Sequence, residues 1–232
     1  VLVRIYGAPS LLAACRERAT WIVRGFGKLI LVNGFIFIRT IFLMTALALI
    51  MRVSAGLGTV EMAASHVLNQ YMLLMALGLD GFAHASEALA GAAWGRNDRA
   101  QFRRWVYLTG YWSLLASLAY ALLFWLLGND LTNLLTDIES VQIAAAALLP
   151  LIVAMPIVSV WCYLFDGVYL GATAAAAMMV TMGVAFLFFL ALLEPMTVAW
   201  GLHGFGGAVL VFMGVRGLAQ AIWYPRLERM LV

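Results

Sequence analysis

Residues 29–51 read LILVNGFIFIRTIFLMTALALIM, 23 positions with a single charge, Arg39. A helix crosses the hydrocarbon core of a bilayer with about 20 apolar residues, so this stretch decides the class of the protein. Five more apolar runs follow, at about 61–94, 103–127, 140–170, 173–193 and 200–224. Gly95-Arg96-Asn97-Asp98 and Gly128-Asn129-Asp130 carry turn chemistry and close the second and third runs. Glu194-Pro195 and Pro225 close the fifth and sixth, while Pro150 and Pro156 predict a bend or break inside the fourth. The second and fourth runs exceed the length of one crossing and should tilt or protrude. The expected fold is all-α and integral to the membrane: a six-transmembrane-helix bundle over 29–232. Residues 1–28 read as a cytoplasmic linker, in which Arg16, Arg18, Arg24 and Lys28 alternate with Leu11, Leu12, Trp21, Ile22 and Phe26. That segment fits an amphipathic surface helix or a plain loop.

Composition supports the same class. Of 232 residues, 65% are apolar and only 11% charged, and the mean hydropathy is +0.99. An ordinary soluble domain carries about 25% charge, and this chain has too little polar surface to cover itself. A soluble enzyme, a nucleic-acid-binding module and a disulfide-stapled secreted domain are excluded. Cys15 and Cys162 lie far apart in unlike surroundings and are expected to be free thiols. The chain opens on Val1 with no signal-peptide pattern, and residues 1–8 resemble the tail of an earlier element. The expectation is the second half of a longer chain.

The net charge of +3 acquires meaning from its distribution. Arg16, Arg18, Arg24, Lys28, Arg96, Arg99, Arg103, Arg104, Arg226 and Arg229 fall on one side of the six runs. Arg52 stands on the other, beside Glu61, Asp130, Asp137, Glu139 and Glu194. Ten basic residues against one predict that both ends are cytoplasmic, in a cell inner membrane.

Ionisable groups well inside the runs include Arg39, Asp80, His84, Glu87, Asp166 and Arg216. Each would cost a few kcal/mol against lipid, so each needs a partner or an aqueous cavity. Asp80, His84 and Glu87 are spaced i, i+4, i+7 and share one helix face. They read either as a polar seam that pins the bundle or as groups that carry transport. Asp166, ten residues beyond Pro156, reads as an interior carboxylate or as the ion-pair partner of Arg39. Arg216 is expected to snorkel from near a helix end, and His203 to sit at one. Gly91-Ala92-Ala93-Trp94-Gly95 and Gly204-Phe205-Gly206-Gly207 allow close helix packing. No metal-ligand spacing, phosphate loop or nucleophile–base pair is found, so no enzymatic activity and no metal are expected.

Several stretches together resemble the multidrug and toxic compound extrusion (MATE) transporters. They are Glu61-Met62-Ala63-Ala64-Ser65-His66, Gly81-Phe82-Ala83-His84-Ala85, Leu134-Leu135-Thr136-Asp137, Phe165-Asp166-Gly167-Val168 and Arg216-Gly217. Phe37-Ile38-Arg39-Thr40 and the Asp80–Ala85 run resemble the DNA-damage-inducible F (DinF) branch. The resemblance implies one lobe of a twelve-helix transporter, its helices seven to twelve, with the N-terminal six-helix lobe as partner. It implies export of cationic or amphipathic small molecules in exchange for H+ or Na+. Sodium-coupled relatives place a Glu where Arg39 stands and an Asp that Asp166 matches. An arginine there supplies its own positive charge, so H+ is the expected coupling ion and no other cofactor is expected. The Gln often found after the helix-eight glycine is Ala92 here, and the arginine common after helix ten is absent. The expected substrate and proton-coupling residues are Arg39, Asp80, His84, Glu87 and Asp166. A flippase for lipid-linked oligosaccharides, or a non-transporting membrane anchor subunit, are the alternatives; a flippase would need more interior Arg and Lys to meet a pyrophosphate.

Overall fold

The computed structural model describes residues 8–231, with side chains at 26, 27 and 29–231. The described residues form α1 (Ala8–Leu57), α2 (Thr59–Gly95), α3 (Arg99–Leu135), α4 (Glu139–Ala147), α5 (Leu149–Gly171) and α6 (Ala175–Glu228). Five of these helices are long and apolar enough to cross a membrane. The chain is therefore an all-α bundle of membrane-spanning helices.

The backbone of α1 is unbroken through positions 28 and 29, so no break separates the basic N-terminal segment from the first span. The side chains of its basic residues lie outside the described residues. The fourth run divides at Leu148 into α4 and α5. Pro150 sits in the first turn of α5, where its missing N–H costs nothing. Pro156 is accommodated inside α5.

Two expected boundaries move. Gly128-Asn129-Asp130 does not end the third span, and α3 continues to Leu135. Gly128 is a packing residue: a Cβ there would lie 2.3 Å from Cδ1 of Leu149. Its carbonyl accepts a hydrogen bond from the Tyr71 hydroxyl at 2.5 Å. Glu194-Pro195 does not end the fifth span either, because the helix runs through Pro195. The reversal comes at Gly201, whose φ of 54° and ψ of −131° suit glycine alone. Phe189 and Phe212, on either side of it, have ring centroids 5.0 Å apart. In a straight helix they would be about 34 Å apart. α6 is thus a hairpin of two arms, 175–200 and 202–228, which gives the six expected crossings.

α5 is the most enclosed helix, wrapped by α2, α3 and α6. α1 lies outside, against the first arm of α6, where Phe42 stacks on Phe186 at 5.4 Å. The outer face of α3 exposes Tyr107, Trp112, Leu122, Trp125 and Leu126, a surface fit for lipid and not for water.

α2 and α5 touch backbone to backbone. A Cβ on Gly167 would lie 2.0 Å from the carbonyl oxygen of Ala83, and one on Gly171 2.5 Å from that of Glu87. Neither backbone can yield as a flexible side chain would. Gly167→Ala should therefore lower stability by about 3 kcal/mol, the upper end for overpacking, read as a drop in Tm of the detergent-solubilised protein. An unchanged Tm would show that the two helices separate freely.

Candidate functional site

Close approach of the helices brings the interior charges together. Gly167 lets α5 meet α2, and Gly217 lets the second arm of α6 meet α5, since a Cβ there would be 3.0 Å from Cβ of Trp161. Each glycine is next in sequence to a charged residue, Asp166 and Arg216. The small side chain draws the backbones in, and its neighbour reaches across.

Asp166 accepts hydrogen bonds from three residues on two helices. The Arg39 guanidinium of α1 and the Arg216 guanidinium of α6 both donate to Oδ2. Gln220, one turn beyond Arg216, donates from Nε2 to Oδ1 at 2.7 Å. A turn further along α5, the Tyr169 hydroxyl donates to the Gln220 carbonyl at 2.8 Å and fixes the register of the two helices. The side chains of Arg39, Arg216 and Asp166 are 14%, 6% and 13% exposed. Both carboxylate oxygens are engaged, and two guanidiniums at Oδ2 oppose the approach of a further cation. Within this set, positive charge exceeds negative by one. Asp80 of α2 interacts electrostatically with both Asp166 and Arg216.

The structure joins Arg39 to Asp166, as the sequence predicts. Arg216 differs from expectation: it does not snorkel but is buried in the cluster. The cause is the extent of the last helix, which passes through Pro225 to Glu228 and places Arg216 more than three turns from its end. Sequence reasoning also missed Gln220, although Arg216 and Gln220 are spaced i, i+4 in an otherwise apolar helix.

Asp80, His84 and Glu87 share one face of α2, with His84 Nδ1 3.6 Å from Glu87 Oε2. That face is not enclosed by this chain. Asp80 and His84 are exposed and Glu87 is partly so. Asp80 receives no hydrogen bond among the described residues. His203 is exposed near the start of the second arm of α6. No group of three or more His, Cys, Asp or Glu gathers as metal ligands among the described residues. Cys162 is free and buried, one turn before Asp166.

Comparison with known proteins places this arrangement. The family model for MatE matches residues 34–196. DNA damage-inducible protein F of Escherichia coli K12 is 35% identical over 200 residues, which cover 85% of this chain and 43% of that protein. Protein DETOXIFICATION 45, chloroplastic, of Arabidopsis thaliana is 24% identical over 206 residues, covering 85% of this chain and 36% of its own. The chain therefore spans less than half the length of these relatives. Among solved structures, the Vibrio cholerae MATE transporter VcmN in its bent form superposes with a TM-score of 0.75 at 18% identity, covering 85% of this chain and 45% of that one. A MATE structure in complex with MaL6 gives 0.73 at 15% identity over 84% and 45%.

The cluster has an energetic signature. Asp166→Asn leaves two guanidiniums facing each other without a counter-charge, and Arg216→Met strips the carboxylate of its most buried partner. Each should cost about 3–5 kcal/mol. Arg39→Met, with Arg216 and Gln220 still in place, should cost less. The double variant Asp166→Asn with Arg216→Met should lose less than the sum of the two, because it removes one of the two stranded guanidiniums. Denaturant unfolding of the four proteins measures the coupling, and strict additivity would dissolve the cluster as a unit.

Proposed function

From the premise that this chain belongs to the MatE family of multi-pass membrane transporters, we propose that it is one lobe of a secondary active efflux antiporter driven by H+. The partner is the N-terminal six-helix lobe, and the exported compounds are amphipathic or cationic small molecules. Substrate crosses between the lobes as they rock about the membrane midplane. Both ends of this chain then face the cytoplasm of an inner-membrane protein. The lobe moves solutes and catalyses no reaction.

The observation that carries this reading is the occupied Asp166. Arg39 and Arg216 place two fixed positive charges on its carboxylate. A Na+ ion at that position would meet the repulsion of both. The arrangement supports a lobe that keeps its own internal cation and leaves coupling to a proton.

Within the lobe, Asp80 is the carboxylate suited to accept that proton. It is exposed on the α2 face, adjacent to the charged cluster but bonded to none of it. Protonation of Asp80 removes the negative charge that balances the cluster, so its state changes the electrostatics of the face that meets the partner lobe. Glu87 leans toward His84 at the end of the same stripe and acts as a polar seam. A flippase acting on pyrophosphate-linked sugars would need interior guanidiniums free for phosphate, and both arginines here are committed to Asp166.

Efflux of a fluorescent organic cation from cells expressing the full-length protein tests this. Export should collapse with the pH gradient and ignore added Na+. Asp80→Asn should abolish coupling with normal expression, whereas Glu87→Gln should leave export nearly intact. Na+-driven efflux at constant pH would remove H+ coupling from the reading. A fully active Asp80→Asn variant would remove Asp80 from it.

A further inference from the structure

On the side of the bundle away from the α2 stripe, α3, α5 and the end of α6 enclose an open groove. It is lined by Tyr107, Gly110, Tyr111, Trp161, Phe165 and Tyr224, among others. Gly110 packs closely on the groove floor, where a Cβ would lie 3.1 Å from Cδ2 of Leu164. Tyr107 and Tyr111 of α3 and Trp161 of α5 are exposed beside it.

The groove leads toward the most basic end of the molecule. Arg96, Arg99, Arg103, Arg104, Arg226 and Arg229 gather there against Asp98 and Glu228. Their commitments differ. Arg99 is paired with Glu228 at 3.2 Å, Arg96 donates to Gln101 at 2.8 Å, and Arg226 lies 5.0 Å from the Trp223 ring. Arg103 forms no ion pair among the described residues; its Nη2 donates to the Tyr107 hydroxyl at 3.5 Å, and its guanidinium rests 5.5 Å from the centroid of that ring, a groove residue. Arg104 is exposed and forms no ion pair among the described residues. The mouth of the groove thus offers positive charge that the protein does not neutralise.

Tyr224 adds an independent observation. Its hydroxyl is buried and finds no hydrogen-bond partner among the described residues. It interacts electrostatically with Arg103, Arg99, Tyr107 and Glu228, so it sits at the level of the arginines. The hydroxyl is turned away from the groove, so Tyr224 contributes its ring to the groove wall.

We propose that this groove binds one anionic phospholipid. Arg103 and Arg104 meet its phosphate, and one acyl chain lies over Gly110 between Tyr111 and Trp161. A zwitterionic choline lipid would bring its quaternary ammonium among uncompensated arginines. A free phosphate would leave the aromatic groove unfilled. The bound lipid ties α3 to α5 and α6 at the ends where the Arg99–Glu228 pair already joins them.

The test uses the full-length protein in detergent, titrated with dioleoylphosphatidylglycerol or dioleoylphosphatidylcholine and followed by native mass spectrometry. Phosphatidylglycerol should give a defined one-lipid adduct, weakened about fivefold by Arg103→Gln and again by Arg104→Gln. Phosphatidylglycerol brominated on its acyl chains should quench Trp161, read as the difference from Trp161→Phe, and Gly110→Leu should cut that quenching at unchanged Tm. Should Gly110→Leu destabilise the fold, the arginine variants decide alone. Equal binding of the two lipids, insensitivity to both arginine variants, or full competition by glycerol 3-phosphate would each overturn the proposal.

Discussion

A carboxylate within a membrane must be neutralised by its own protein, and the arrangement of this lobe follows from how Asp166 meets that requirement. Its donors come from α1 and from the second arm of α6, helices separated in sequence by most of the chain. They reach it only because α5 stands at the centre. The centre is accessible to backbones because Gly167 and Gly217 carry no side chains at the crossing points. The charges do not add a decoration to a finished bundle. Without the close crossings the guanidiniums would stop short. Without the guanidiniums the close crossings would enclose an unpaired charge, which costs several kcal/mol.

The sequence makes the spans legible because bilayer thickness sets a length and lipid excludes charge, and both constraints write directly into composition. The pairing of Arg39 with Asp166 is legible for the same reason, since neither residue has another tolerable environment. What hydropathy does not encode is how helices end. Gly128 resembles a turn glycine until the Leu149 side chain is seen to occupy its space. Gly201 is one of several glycines in its neighbourhood, and only the backbone shows that it alone carries the reversal. A third boundary, the end of the last helix, bears on Arg216. With the last helix closed at Pro225, the arginine lies near an end and snorkelling suffices. With the helix continued to Glu228, it lies too deep for that, and burial in an ion cluster is the remaining solution. Gln220 is hidden differently, because a neutral amide raises no alarm in a hydropathy scan although its position one turn from Arg216 was plain.

The α2 stripe poses the opposite problem to Asp166. Asp80, His84 and Glu87 are aligned on one face but are not covered by any helix of this chain. Lipid cannot cover such a face cheaply. The chain matches less than half of each relative's length, and a second lobe of similar size is the natural cover for a surface of this polarity. The α3 face on the other side, with its Trp and Leu residues outward, suits lipid as it stands. Polarity therefore sets different requirements for the two faces: the α2 stripe needs a polar cover, and the α3 face needs only lipid.

These two kinds of charge divide the work that a rocking transporter demands. Alternating access by rigid bodies needs each lobe to keep its shape while its contacts with the other change. A cluster that ties α1, α5 and α6 through one carboxylate resists distortion inside the lobe, because any relative movement of those helices would strand a buried charge. A stripe on the surface has no such constraint, and its protonation can change what the face binds without unpacking anything beneath it. Asp80 lies at the junction of the two, exposed like the stripe and electrostatically linked to the cluster. Under the proposed H+ coupling, a proton arriving there would alter the contact surface while the interior remains pinned. That separation would let an ion gradient act on the relation between the proposed lobes and not on the fold of either.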